Sequence, residues 1–399
     1  MAPDEHGEPA PEERDRPTAE EHGGTAAEEW SSPAVGEHGG VAAEALSIAV
    51  SAGVPVLLWG SPGTGKTSAV LALAESLNWP VEVVIGSIRE PSDFAGLPLI
   101  ADGTVRLAPP AWAQRLATAG HGLLLLDELT TAPPAVQAAM LRVVLERAVG
   151  DVRLPDKVRI VAAANPPEEA ADGWDLAAPL ANRLVHLDWP VDGRRIARGL
   201  AVGFPRPPLS GFERPASPEE VARARAIVAA FLEVRPTLAL HVPSGDAAGR
   251  GWPSPRSWES AARLLAACQA TAASPEVLAV LVAGAVGEGA ALEFLSWLER
   301  LDLPDPMAVL ADPDAFELPG RGDRAFAVLT SVVAVAVADG SGELWDAAWH
   351  VIAKAAGTAP DVATLAARAL AHRRPPGARL PVALLELTPI LRAAGLLHE

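Results

Sequence analysis

The sequence predicts an α/β fold: a parallel sheet flanked by helices, followed by two stretches that are helical throughout. Three observations predict it. Short apolar runs at 54–59, 81–85, 123–126, 159–163 and 184–187 alternate with helix-like segments, and runs of that length alternating in that way mark parallel βαβ units with buried strands. After about Trp189 the runs stop, and Pro-punctuated segments rich in Ala and Leu take over. Between the first run and a helical pattern at 68–77 lies a glycine-rich octet, Gly60-Ser61-Pro62-Gly63-Thr64-Gly65-Lys66-Thr67.

Composition narrows the class further. Of 399 residues 49% are hydrophobic and 21% charged, and the formal charge is −18. That is enough apolar sequence for a real core, which excludes disorder of the whole chain. An acidic surface repels phosphate backbones and anionic lipid, which argues against a nucleic-acid-binding or membrane-surface protein. Cys268 is the single cysteine, so it forms neither an internal disulfide nor a CxxC metal site and reads as a small buried hydrophobe. The first residues carry neither the basic start nor the apolar run of a signal peptide. The longest smooth apolar stretch, about 325–338, is interrupted by Thr330 and Ser331 and falls short of the roughly 20 residues of a spanning helix. A cytoplasmic protein is expected. Basic residues are 29 Arg and only three Lys (Lys66, Lys157, Lys354), so a lysine is a rare choice here.

The elements follow in order. Residues 1–40 hold eleven acidic and two basic residues, and Glu-His-Gly recurs every 16 residues at Glu5, Glu21 and Glu37. Such a tract cannot bury enough apolar surface to order itself and is expected to be a disordered acidic tail. Its three histidines lack a scaffold to fix metal geometry. An amphipathic helix is expected over 41–52, leading into the first strand. Asp102-Gly103 suggests a hairpin turn, and a second hairpin is expected at 148–153 before the 159–163 strand. Past Pro205-Arg206-Pro207-Pro208, Ser217-Pro218-Glu219-Glu220 has a Ser cap, Pro at the first helical position and acids in the first turn. Gly320-Arg321-Gly322-Asp323 marks a loop. The expected division is a tail at 1–40, a nucleotide-binding α/β domain at 41–203, a helical lid at 204–300 and a helical C-terminal extension at 301–399.

The octet fits G-x-x-x-x-G-K-[ST] in the context that motif requires, strand before and helix after. Residues Gly60 to Ser68 are expected to wrap a nucleotide's phosphates with backbone N–H groups at a helix N-terminus. Lys66 would reach the β and γ oxygens, and the Thr67 hydroxyl would ligate Mg²⁺. Sixty residues on, Leu123 to Leu126 end in Asp127-Glu128. Asp127 would hold the hydrated Mg²⁺ and Glu128 would polarise the attacking water. Val161 to Ala164 end in Asn165-Pro166. Asn165 can donate and accept at once, and its place in the motif order puts it where it would orient the lytic water or touch the γ-phosphate. By itself Asn-Pro after a strand is also an ordinary turn.

Taken together, the octet, Leu-Leu-Asp-Glu-Leu, Ala-Ala-Asn-Pro and the later Arg-bearing segments resemble an AAA+ ATPase of the MoxR type, close to the dynein-related branch, over about 41–300. The resemblance implies ATP as the nucleotide with Mg²⁺, Asn165 as sensor 1, and Arg183 as a finger reaching the neighbouring subunit's nucleotide. Ala181-Asn182-Arg183-Leu184 departs from the family's Asp-Arg-Phe element at Asn182 and Leu184. Arg194, Arg195 and Arg198 lie near enough to compete for the role, and a structural ion pair is the bland alternative for Arg183. Pro253-Ser254-Pro255-Arg256 looks like the sensor 2 segment, with Arg256 bridging lid and γ-phosphate. The insert from Ile88 to Pro98, with the following hairpin and Trp112, would face the pore of a ring. A homo-oligomeric ring of six subunits is implied, acting on a client or adaptor protein, often one with a von Willebrand factor A domain. Alternatives stay open: a nucleotide-dependent assembly switch with little turnover, the motor subunit of a metal chelatase, or a DNA-dependent motor, which the acidic charge disfavours.

Overall fold

The computed structural model describes residues 38–101, 103–166, 169, 173–243, 248–376, 378 and 387. The acidic repeat up to Glu37 lies outside the described residues. The first part of the chain runs α1 (His38–Ser51), β1 (Val56–Trp59), α2 (Lys66–Leu77), β2 (Val81–Ile85), α3 (Ser92–Ala95), β3 (Leu97–Ala101), β4 (Thr104–Ala108) and α4 (Ala111–Ala119). It continues with β5 (His121–Asp127), α5 (Pro134–Glu146), β6 (Ala148–Val149), β7 (Val152–Arg153), β8 (Lys157–Ala164), α6 (Ala178–Ala181), β9 (Val185–Asp188) and α7 (Gly193–Val202). All five expected strands are present, within three residues of their predicted ends, and both hairpins form, β3 with β4 and β6 with β7.

The five strands pair in parallel in the order β2-β5-β8-β1-β9. Because side chains alternate along each strand, Val56 and Leu58 of β1 enter one core with Leu123, Leu125, Val161 and Ala163. Leu57 and Trp59 enter the other with Leu124, Leu126, Ile160 and Ala162. The first core is closed by α1, α2 and helices from later in the chain, and the second by α4, α5 and α6. This double burial explains why the strands read as continuous apolar runs.

Helix α1 differs from expectation. It begins at His38 and, far from being amphipathic, is buried at Ala42, Ala43 and every position from Ala45 to Val50. It touches β1, β8 and β9 as well as the later helices α8 (Ser210–Glu213), α10 (Pro255–Thr271) and α11 (Pro275–Val286). A helix sandwiched between a sheet and other helices has no face left for water.

The remaining elements are helical: α9 (Pro218–Val234), α12 (Glu288–Leu298), α13 (Pro306–Ala311), α14 (Gly322–Asp339), α15 (Gly342–Ala356) and α16 (Pro360–Ala371). Helix α9 starts as its sequence predicts, with a capping box between Ser217 and Glu220 and Pro at the first position. Phe231, Trp258, Phe294 and Trp297 pack ring on ring at 5.2–6.3 Å between α9, α10 and α12. The apolar stretch of 325–338 lies in α14, packed against α9, and α14 starts at Gly322, inside the segment expected to be a loop. A third core joins α13 to α16 through Trp345 and Trp349. Among the described residues no helix is long and apolar enough to cross a membrane.

Candidate functional site

Strand β1 ends at Trp59, the chain turns through the glycine-rich octet, and α2 begins at Lys66 itself. Gly65 caps α2 in the left-handed region at φ 88°, and Gly63 has φ 79°. Both backbones are open on the side where a Cβ would stand, so these positions need glycine for conformation and leave room for a ligand to approach. Gly60 is crowded instead: a Cβ there would lie 2.9 Å from the Trp189 carbonyl oxygen.

The ammonium of Lys66 donates to the carbonyls of Gly60 (2.5 Å) and Ser61 (3.0 Å) and to Asn165 Oδ1 (3.0 Å). Burial pushes its pKa below the ordinary lysine value, while the charges of Asp127 and Glu169 pull it back up. All three hydrogen-bond partners are neutral oxygens, so a buried cation stands at the N-terminus of a helix whose dipole adds to its field. Beside it the Thr67 hydroxyl donates to Asp127 Oδ2 at 2.7 Å. The other Asp127 oxygen accepts from the Glu128 backbone N–H at 2.9 Å. The Glu128 backbone is left-handed at φ 55°, a conformation that costs a non-glycine residue on the order of 1 kcal/mol. The Glu128 carboxylate accepts a short hydrogen bond from the Ser87 hydroxyl. Thr130 Oγ1 donates to the Asn165 carbonyl at 3.1 Å, tying the end of β5 to the end of β8.

The structure thus brings Lys66, Thr67, Asp127, Glu128 and Asn165 together at the C-terminal edge of adjacent parallel strands, where open α/β sheets bind ligands. Arg183 and Arg256 form a second group. Among the described residues no hydrogen bond or ion pair joins either of them to those five. Arg183 is partly buried, donates through Nη1 to the Pro179 carbonyl, and leaves a buried Nε without a partner. Burial and then the nearby Arg256 charge push its pKa down. Arg256 is exposed in the first turn of α10. Two cations beside a helix N-terminus raise a local positive potential.

Ser87 was not legible as a site residue. It follows β2, and its place beside Glu128 depends on β2 pairing with β5, Ile85 opposite Asp127, a pairing that no local motif encodes. Asn182 and Ser254 were read only as neighbours of arginines, yet Ser254 Oγ donates to Asn182 Oδ1 at 2.7 Å. Among the described residues no three His, Cys, Asp or Glu side chains gather to hold a metal.

A glycine turn feeding a helix, a buried lysine held by neutral oxygens, and a strand-end carboxylate on the next residue's hydroxyl define a P-loop nucleotide-binding domain. The glycine turn and the free N–H groups of α2 suit a polyphosphate, and Thr67 with Asp127 offers the oxygen donors a hard cation takes. Residues 55–184 match the family model of an AAA domain, dynein-related subfamily, and the chain carries an AAA domain of that subfamily. Two crystal structures are similar over longer stretches. One is a Cytophaga hutchinsonii protein assigned as an ATPase, 19% identical over 61% of this chain and 79% of that one, with a TM-score of 0.38. The other is a full-length MCM homolog from Methanopyrus kandleri, 19% identical over 64% of this chain and 54% of that one, with a TM-score of 0.37.

Proposed function

We propose that the chain is a MoxR-type ATP hydrolase that binds ATP with Mg²⁺ and couples hydrolysis to remodelling or activating a partner protein. The observation that carries this reading is the convergence, beneath an open glycine turn, of Lys66 on Asn165 at 3.0 Å and Thr67 on Asp127 at 2.7 Å. Lys66 and the N–H groups of α2 hold the phosphates. Thr67 and Asp127 hold the metal ion, which neutralises charge on the phosphate oxygens when bound. Glu128 takes the proton of the attacking water, and Asn165 orients that water from the neighbouring strand. Hydrolysis of this kind asks for positioning and charge neutralisation more than covalent chemistry.

Arg183 completes the site of the next subunit in a ring, six subunits by resemblance, and Arg256 ties the lid to the γ-phosphate. In this reading the nucleotide domain spans 41–203, the lid 204–300 and the helical extension 301–399, behind an acidic tail. A protein with a von Willebrand factor A domain is the first partner to test.

The Ser87–Glu128 contact favours a second reading. A carboxylate with one oxygen held by Ser87 is a weaker base and less free to turn to the attacking water, and if it stays so held the chain would be an assembly switch with little turnover. The two readings separate in one experiment: steady-state ATP turnover and solution mass, with and without ATP, for wild type, Lys66→Ala, Glu128→Gln and Arg183→Ala. The hydrolase reading expects turnover in wild type, its loss in all three variants, with Glu128→Gln lowering kcat by roughly 10²–10⁴, and partial recovery when Lys66→Ala and Arg183→Ala subunits are mixed. ATP-driven assembly without turnover in wild type sinks that reading and supports the switch.

A further inference from the structure

Asn182 lies between β9 and the short helix α6, and it is buried at 6% exposure. Its side chain faces the entry to α10. The amide Nδ2 donates to the Trp252 carbonyl at 2.9 Å, and Oδ1 accepts from Ser254 Oγ at 2.7 Å. Ser254 is the cap of α10: its hydroxyl accepts from the Ser257 N–H at 3.2 Å, and its own N–H donates to Ser257 Oγ at 2.9 Å. Ser257 Oγ closes the circuit by donating to the same Trp252 carbonyl at 2.8 Å. Ser254 and Ser257 are 4% and 3% exposed. Each group finds the partner its chemistry needs, and such a network holds one geometry because any displacement strands a buried polar atom.

The circuit has an arginine at each end. Arg183 is the next residue after Asn182, and Arg256 is two residues beyond Ser254 in the first turn of α10. The 2.7 Å bond from Ser254 to Asn182 brings the two arginine-bearing segments together, the Arg256 charge adds to burial in lowering the Arg183 pKa, and among the described residues neither arginine forms an ion pair with a carboxylate. Like charges side by side separate unless the backbone under them is held. The Asn182 circuit is what holds it, joining the residue before Arg183 to the cap of the helix that carries Arg256.

Resting on the hydrolase reading above, we propose that Asn182 is a positioning residue: its buried amide fastens the cap of α10 to the segment bearing Arg183, so that Arg183 and Arg256 act as one cationic pair whose spacing sets turnover. An amide suits the site because the donor and the acceptor are on separate atoms, Nδ2 and Oδ1, whereas an ionised carboxylate only accepts and a hydroxyl has one atom for both. Asn182 itself touches no reacting atom.

The test combines kinetics with amide hydrogen exchange on the full-length chain. Asn182→Ala should leave ATP affinity, read by calorimetry, within twofold and lower kcat at least tenfold. Arg256→Ala should lower kcat at least tenfold in wild type and less than threefold in the Asn182→Ala background, because an unfastened pair has little left to lose. Ser254→Ala, which keeps Asn182, should reproduce the Asn182→Ala effect, and Ser254→Thr, which keeps the hydroxyl, should restore most of the turnover. Exchange at the amides of residues 256–258 should rise in Asn182→Ala without change in the strands. Additive losses for Asn182→Ala and Arg256→Ala, equal losses in Ser254→Thr and Ser254→Ala, or unchanged exchange at 256–258 would overturn the proposal. A wild-type chain that binds ATP without hydrolysing it sinks the hydrolase reading instead. The fastening is then judged by ATP-dependent protection of 253–258, which supports it if Asn182→Ala abolishes that protection and overturns it if the protection persists.

Discussion

The indole Nε1–H of Trp59 donates to Nδ1 of His186 at 2.8 Å, and the other ring nitrogen of His186 donates to the Ala181 carbonyl at 2.9 Å. Trp59 is the last residue before the glycine turn, and Ala181 precedes Asn182 and Arg183, so one imidazole joins the nucleotide strand to the arginine-bearing segment. The neutral tautomer with its proton on Nε2 satisfies both partners. A second proton would face the Trp59 N–H donor to donor.

That geometry predicts acid sensitivity. Burial outweighs the opposing hydrogen bond to the Ala181 carbonyl, and with a smaller push from the Arg250 charge it takes the His186 pKa from 6.5 down to about 4. The unfolded chain takes up this proton first as pH falls, so the contribution is fully present above about pH 6.5 and lost progressively toward pH 4, amounting to about 3 kcal/mol. Urea midpoints from pH 7 to 4 should fall more steeply in wild type than in His186→Gln, which cannot titrate. Parallel curves would refute the assignment.

Ser87 is expected to restrain Glu128. Removing its hydroxyl in Ser87→Ala frees the carboxylate at a cost of one charge-assisted hydrogen bond, and basal ATP turnover should rise by up to about tenfold. Glu128→Gln in the same background should erase the gain. Turnover that falls in Ser87→Ala would mean that the contact positions Glu128 rather than holding it back.

Gly284 of α11 lies against β9 so closely that a Cβ would stand 2.2 Å from the His186 carbonyl oxygen. That neighbour is backbone in a central sheet and has little room to yield. Gly284→Ala should therefore destabilise the chain by about 3 kcal/mol, measured by urea unfolding, whereas Gly289→Ala, where a Cβ meets nothing within 4 Å, should be neutral or stabilising.

Cys268 should be chemically silent. It is 3% exposed, and burial with the nearby Glu44 charge pushes its thiol pKa up to about 12. At pH 8 an aromatic disulfide reagent should label it only in denaturant, because the thiolate is the reacting species. Labelling of the native chain within minutes would show that α10 opens locally.

Much of the nucleotide site was legible because its motifs are local. Gly60 to Thr67 must follow a strand and open a helix for the backbone to curl, and Asp127 and Asn165 each end an apolar run, so spacing alone placed them at strand ends. Helix α1 was misread for a related reason: Ala42 to Val50 is mostly apolar, and which surfaces would cover it depends on elements more than 220 residues away.

By itself, then, the sequence determined the class of fold, the strand ends and the glycine turn that opens α2, since hydrophobic period and glycine conformation act within a few residues. Only the tertiary structure decided that β2 lies beside β5, putting Ser87 on Glu128, and that α10 caps against Asn182, setting Arg183 beside Arg256. Those contacts join residues 41 and 72 positions apart. They form because strand order and helix packing are settled by the whole buried core, and no single segment carries that information.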